Sequence, residues 1–153
     1  MIPMPDPPLR SGDLVLRPWR VEDAPALVAA WADPEIQRWT GVPDRRDLDA
    51  AERWIAGDDE RRRRWLSLDL VAERDCDLVG EVGLSSIDRA AGVAEIGWWT
   101  AAGRRREGVA STAAGLVVRW ASERLRLTCA ARCDPANPGS VAVAERAGAM
   151  VLL

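Results

Sequence analysis

Three strand-like runs follow one another at hairpin spacing in the middle of this chain, and they limit the fold more than any other feature. Trp65–Ala72, Leu78–Ile87 and Val93–Thr100 are rich in aliphatic and β-branched residues. Asp75-Cys76-Asp77 and Asp88-Arg89-Ala90-Ala91-Gly92 separate them as short polar turns. Strands joined this closely pair antiparallel, because a parallel pair needs a crossover of about a dozen residues. The period then changes. From Glu107 to Leu125 the apolar residues Ala110, Ala113, Ala114, Val117, Trp120 and Ala121 recur at helical spacing. A fifth strand is expected over Leu127–Cys133, a last helix from Asn137-Pro138 to Gly148, and another strand from Ala149.

Ahead of the meander, Leu14-Val15-Leu16-Arg17-Pro18 reads as a first strand stopped by proline. Glu22–Trp31 has helical spacing, and Asp33-Pro34-Glu35 opens a second short helix that Gly41 closes in a left-handed cap. A third helix is expected over Asp47–Arg64. The run Arg61-Arg62-Arg63-Arg64 complements its dipole and reads as a solvated end. Strand, helices, three strands, helix, strand, helix, strand is the order of an α+β fold, a mixed α/β sandwich. Residues 1–12 read as a loose Pro-rich lead-in, with neither the charged nor the apolar stretch of a signal peptide. The domain is expected to occupy residues 13–153. No apolar run approaches the ~20 residues of a membrane span, so a cytoplasmic location without a membrane partner is expected.

Absences narrow the chemistry. The chain has no His, Tyr, Phe or Lys; its 21 basic residues are all Arg and its eight aromatics all Trp. The commonest general base, the phenolic acid and the phosphate-loop lysine are therefore missing. Cys76, Cys129 and Cys133 have no metal-ligand spacing and read as small buried hydrophobes. No metal is expected. A net charge of −3 gives no general attraction to nucleic acid, so any anion site must be local.

One such site is legible between the meander and the long helix. After Trp98-Trp99-Thr100 come Arg104, Arg105 and Arg106, then Glu107-Gly108-Val109-Ala110-Ser111. The first N–H groups of a helix lack intrahelical partners and carry roughly half a positive charge together. Small residues at Gly108 and Ala110 let a phosphate approach those donors, and the arginines add formal charge. A second junction, Asp134-Pro135-Ala136-Asn137-Pro138-Gly139-Ser140, ends a strand and caps the last helix through Asn137.

Taken together these residues resemble the GNAT superfamily of N-acetyltransferases, in its RimJ/RimL-like branch, over nearly all of Asp13–Gly148. Leu14–Trp19 with Glu22-Asp23-Ala24 is similar to the opening of that branch. Leu78–Leu84 resembles the family's third strand and Ala94–Trp99 its fourth. Arg105-Arg106-Glu107-Gly108-Val109-Ala110 matches the family's Arg/Gln-x-x-Gly-x-Gly/Ala loop, and Asn137 with Ser140 matches Asn-x-x-Ser. The resemblance implies the GNAT acyl-CoA N-acyltransferase fold, a mostly antiparallel central sheet flanked by helices. It implies acetyl-CoA as cosubstrate, with its pyrophosphate at Arg104, Arg105, Arg106, Gly108, Val109, Ala110 and Ser111. The pantetheine arm would lie along Trp99 and Thr100 and meet Asn137, while Ser140 protonates the departing thiolate. Arg106 stands where the family usually has a small residue, and Glu107 puts a negative charge at the same helix start.

For the base, Glu95 and Glu81 are the candidates, acting through water, although each could equally be a strand residue facing solvent or paired with arginine. Deprotonating an α-amine of pKa ~7.8 at pH 7 costs about 1.1 kcal/mol, against about 4.6 for a lysine near ~10.4. A chain with no His or Tyr base suits the first, so the expected acceptor is a protein N-terminus or a small amine. The rival reading is a non-catalytic acyl-CoA-binding or interaction module on the same fold. Relatives continue through further C-terminal strands, so the domain is expected to be truncated at Leu153, with a homodimer as one way to complete its sheet.

Overall fold

A computed structural model describes all residues, Met1–Leu153. Seven strands form one sheet in sequence order: β1 (Leu9–Ser11), β2 (Leu14–Pro18), β3 (Leu68–Arg74), β4 (Asp77–Asp88), β5 (Val93–Thr100), β6 (Thr128–Arg132) and β7 (Met150–Leu152). The first five pair antiparallel. The β5–β6 and β6–β7 pairs are parallel, because α5 (Val109–Trp120) and α6 (Pro138–Ala147) supply the crossovers between them.

Alternation within the strands assigns each face of the sheet. Leu70, Val82, Leu84, Ala94 and Ile96 are buried against Ala113, Ala114 and Val117 of α5 and against Ala144 of α6. The opposite face carries Val71, packed in a smaller cluster with Leu27 and Trp31 of α1 (Ala24–Ala32), and with Ala51 and Ile55 of α3 (Leu48–Ala56). The short α2 (Pro34–Trp39) and α4 (Asp58–Arg63) complete that layer. Behind it, Arg17 is 8% exposed and holds Asp23 through two hydrogen bonds of 2.8 and 2.9 Å. Burial works against the ionised Asp23 carboxyl, but the bonds from Arg17 and from the Arg20 amide outweigh it and hold the carboxyl below its ordinary range.

Several expectations are corrected. The lead-in is not loose: Ile2 is fully buried in the core, its backbone exchanges hydrogen bonds with Arg62, and β1 pairs with β2. The helix expected over 47–64 breaks at Gly57 into α3 and α4, where the acidic turn Asp58-Asp59-Glu60 starts a new helix. Of the arginines that follow, Arg63 and Arg64 are exposed as expected, but Arg61 and Arg62 are tied down. Arg61 donates to the Trp54 carbonyl at 2.6 Å, stacks on the Trp54 ring and pairs with Asp69 at 3.5 Å. Arg62 pairs with Asp58 and Asp59. Gly41 does not cap α2; the Thr40 amide and hydroxyl both donate to the Ile36 carbonyl and end the helix there. Cys76 is exposed in its turn, whereas Cys129 and Cys133 are buried. The long helix starts at Val109, not at 107, and its last turn widens to π geometry over Ala121–Leu125. Ala110, expected in its buried stripe, instead lines the chamber described next.

Candidate active site

Strands β5 and β6 pair over only three positions, Val93↔Thr128, Ala94↔Cys129 and Glu95↔Ala130. β5 continues to Thr100 on its β4 side, so from Ile96 to Thr100 its other edge has no strand partner. Beyond Ala130, β6 runs on to Arg132 paired only with β7 on its other edge. A chamber of about 1130 Å³ opens through the split. Its lining runs from Ala110 of α5 and Val143 of α6, across β4 and β5, to Leu27 and Trp31 of α1 and Thr40–Pro43 beyond α2. It therefore reaches both faces of the sheet.

The N-terminus of α5 lies at one end of this chamber. Helices α2, α3 and α6 each begin with a side chain that accepts from their first turn: Asp33, Asp47 and Asn137. The α5 start has none, since its cap residue is Gly108 at φ 76. In-helix bonding begins with Thr112 N–H to Gly108 O, so the preceding amides are left free. Arg106 lines the chamber and makes no ion pair. It too adopts a left-handed φ, of 65°, which explains why a small residue or glycine suits this position. Arg105 also lines the chamber, but its guanidinium reaches across to Asp33 at 2.6 Å. Burial opposes ionisation of Asp33, while Arg105 and the Glu35 amide favour it and hold its carboxyl low. Arg104 is drawn away to Glu107 and Asp77. Glu107 also meets Arg74, so two guanidinium groups compensate its charge at the helix start.

Thus Trp99, Thr100, Arg105, Arg106, Ala110 and Asn137 come together on the lining, with Ser140, Glu81 and Glu95. Arg104, Gly108, Val109 and Ser111 do not line it; Val109 is buried and the Ser111 hydroxyl donates to Gly108 O at 3.3 Å. The Asn137 side-chain oxygen accepts from the Ser140 amide at 3.2 Å, which leaves its NH₂ for other partners. The Ser140 hydroxyl makes one weak contact, to Cys133 Sγ at 3.7 Å.

The two candidate carboxylates differ sharply. Glu95 pairs with Arg132 at 2.8 Å near the point where β5 and β6 part. Glu81 stands opposite Trp99 across β4–β5, and its Oε2 is buried without a hydrogen-bond partner. Burial pushes the Glu81 carboxyl up to about 8, with help from the nearby Asp69 charge and against the indoles of Trp19 and Trp99 and the charge of Arg61. Burial likewise raises Asp69, although Ser67 and Arg61 oppose it. Sequence reasoning missed Asp69, Trp31, Trp39 and Trp54, which come from distant elements and carry no local motif. Gly83 and Gly97 were legible in principle, since glycine inside a strand marks a bulge or a close approach.

Comparison with known proteins agrees with this geometry. Residues 13–150 match the family described as acetyltransferase (GNAT) domain. A relative named uncharacterized N-acetyltransferase p20, from Bacillus licheniformis, is 26% identical over 131 residues, 84% of this chain and 74% of its own. Mycobacterium smegmatis RimJ, solved with CoA-disulfide, superposes with a TM-score of 0.77 at 23% identity, over 86% of this chain and 68% of that one. RimL, the ribosomal L7/L12 α-N-protein acetyltransferase solved with coenzyme A, does so with a TM-score of 0.80 at 19% identity, over 90% and 80%. No helix is long and apolar enough to cross a membrane. The chain belongs to the GNAT acetyltransferase family and is an enzyme of the acyltransferase class.

Proposed function

We propose that this protein transfers the acetyl group of acetyl-CoA to a primary amine, on a protein N-terminus or a small molecule, by direct attack on the thioester. One observation carries the reading: the uncapped start of α5, the unpaired edge of β5 and the residues Asn137, Ser140 and Glu81 all meet one chamber. The residues present fit the cosubstrate. Free amides at the α5 start, with the unpaired Arg106 beside them, suit a diphosphate. The strand edge from Ile96 to Thr100 offers peptide groups to an amide-bearing arm. The crystal structures of RimJ and RimL with CoA support this placement by analogy of fold.

Acetyl-CoA, when bound, supplies an activated acyl group; this chain's residues do the rest. Glu81 accepts a proton from the incoming amine, because burial raises its basicity toward that of the group it must deprotonate. The Ser140 hydroxyl, with no strong protein partner, donates a proton to the leaving sulfur. A backbone N–H on the free β5 edge polarises the carbonyl, as an oxyanion donor does. Glu95 holds Arg132 at the mouth of the split rather than moving protons.

The test is a melting-temperature shift with acetyl-CoA combined with thiol release in the presence of amines. A shift with release is expected. A shift without release would leave a coenzyme-binding module, and no shift would remove the assignment.

A further inference from the structure

Five of the chain's eight tryptophans line this single chamber: Trp31, Trp39, Trp54, Trp98 and Trp99. Trp31, Trp54 and Trp99 belong to or pack against the cluster on the α1–α3 side of the sheet, whereas Trp98 alternates to the α5 side. Trp39 rises from α2, and its indole N–H donates to Glu35 at 3.3 Å. Between these rings the sheet is bare. Gly83 and Gly97 are partners across β4–β5, on the same face as Glu81 and Trp99. A Cβ at Gly97 would meet nothing within 4 Å, whereas one at Gly83 would touch Asp69 Oδ1 at 3.0 Å. The floor is thus open at Gly97, while Asp69 and the Leu68 carbonyl close over Gly83; indole rings wall it, with carboxyl groups at its rim.

Of those carboxyls, Glu35 has no arginine but accepts from the Trp39 indole, and Glu81 alone keeps a buried oxygen with no partner. Glu95 is matched by Arg132, and Asp69 by Arg61 and the Ser67 hydroxyl. Glu81 has no ion pair, and its buried Oε2 has no donor. Leaving a buried oxygen unpaired is unfavourable, and although the Trp19 and Trp99 indoles favour its ionised form, neither Trp19 Nε1 nor Glu81 Oε2 closes a hydrogen bond. An amine entering from the chamber would provide the missing donor.

We propose that the acceptor is a small free monoamine carried on an aromatic or comparably flat apolar body, its nitrogen at Glu81 and its body between the indoles above Gly97. This rests on the acetyl-transfer reading and narrows its acceptor. A peptide would press further amide groups against indole walls that cannot satisfy them. A polyamine would bring additional ammonium groups to a rim where Glu95 and Asp69 are already held by Arg132 and Arg61, and where only Glu35, which accepts from the Trp39 indole, has no arginine. A flat apolar body instead gains stacking and area burial from the rings, and its ammonium form meets them favourably on the way in.

The experiment is thiol release from acetyl-CoA with three acceptors at equal free-amine concentration: 2-phenylethylamine, n-propylamine and an alanine-initiated peptide. The expected result is a kcat/KM for 2-phenylethylamine at least tenfold above both others. Trp39→Ala collapses that gap by raising the KM for 2-phenylethylamine, while the KM for acetyl-CoA stays put. Gly97→Val, which grows into open space and so folds, blocks the ring-bearing amine most. Equal rates, preference for the peptide, or an equal loss on all three acceptors in Trp39→Ala would each overturn this inference and leave acetyl transfer standing. Silence of every amine would overturn the transfer reading and this one together.

Discussion

Replacing Glu81 by glutamine separates burial from every other property of the chamber, because it keeps the shape and removes the titration. The carboxyl moves from an ordinary 4.5 to about 8 on folding. As an acid raised by folding, it is protonated in both states at pH 4. Between 4.5 and 8 the unfolded chain ionises it and the folded chain does not. The unfolded state then binds fewer protons, so stability falls as pH rises through this window. At about 1.4 kcal/mol per unit, a gap of about 3.5 units corresponds to roughly 5 kcal/mol. The chamber mouth admits water, which screens part of this, and a loss of about 2–5 kcal/mol is expected. Asp69 and Arg61, the charged groups that act on Glu81, are unchanged in the variant. Urea unfolding of the wild type and Glu81→Gln at pH 5, 6, 7 and 8 measures it. The difference between the two should shift steadily in the variant's favour with pH. Parallel stability curves would refute the buried-carboxyl argument, and the proposed base would lose its support. The same group predicts activity that climbs with pH toward about 8, with that limb flattened in the variant.

Other perturbations address single links. Arg106→Gly removes a left-handed arginine; relief of about 1 kcal/mol, offset by some unfolded-chain entropy, should raise the melting temperature slightly, and a fall would contradict the strain. Asn137→Ala should cost about 1 kcal/mol through loss of the α6 cap, whereas Asn137→Asp keeps the cap but lacks the amide donors, so urea unfolding and acetyl-CoA affinity should dissociate. Ser140→Ala should lower kcat by about a hundredfold with the coenzyme-induced melting shift intact; unchanged kcat would exclude it as the acid. Asp23→Asn takes from the buried Arg17 its two-bonded carboxylate partner and leaves it only Glu73, and should destabilise by about 2 kcal/mol at pH 7. The effect should fade as the pH drops below the ordinary Asp range, since the folded-state pKa of Asp23 is lowered.

Much of the architecture was legible locally. The bounds of β5 match the strand-like run at Val93–Thr100, and the other strands of the meander shift by a few residues at their ends. Strand alternation and short polar turns are properties of consecutive residues, so a linear reading captures them. The strand–loop–helix junction between Thr100 and Val109 and the Asn137 cap were legible for the same reason. Errors fell where distant groups intervene. The 47–64 helix breaks at Gly57, where Arg61 folds back onto Trp54 and Asp69, and Ile2 is captured by Arg62 some sixty residues away in sequence. Neither partner is visible in a sliding window.

The two candidate carboxyls show the same division most sharply. Composition alone excluded histidine, tyrosine and lysine chemistry and left Glu81 and Glu95 as equivalent strand residues of the same type. Their roles diverge because one strand partner differs. Glu95 sits where β6 still pairs and meets Arg132, while Glu81 lies a strand further in, opposite Trp99 and with its Oε2 buried. Desolvation and pairing depend on what surrounds a side chain in three dimensions. The order of residues therefore named the candidate groups and the elements that carry them, and the packing of those elements set which carboxyl is neutral, which is paired and what the chamber between them can hold.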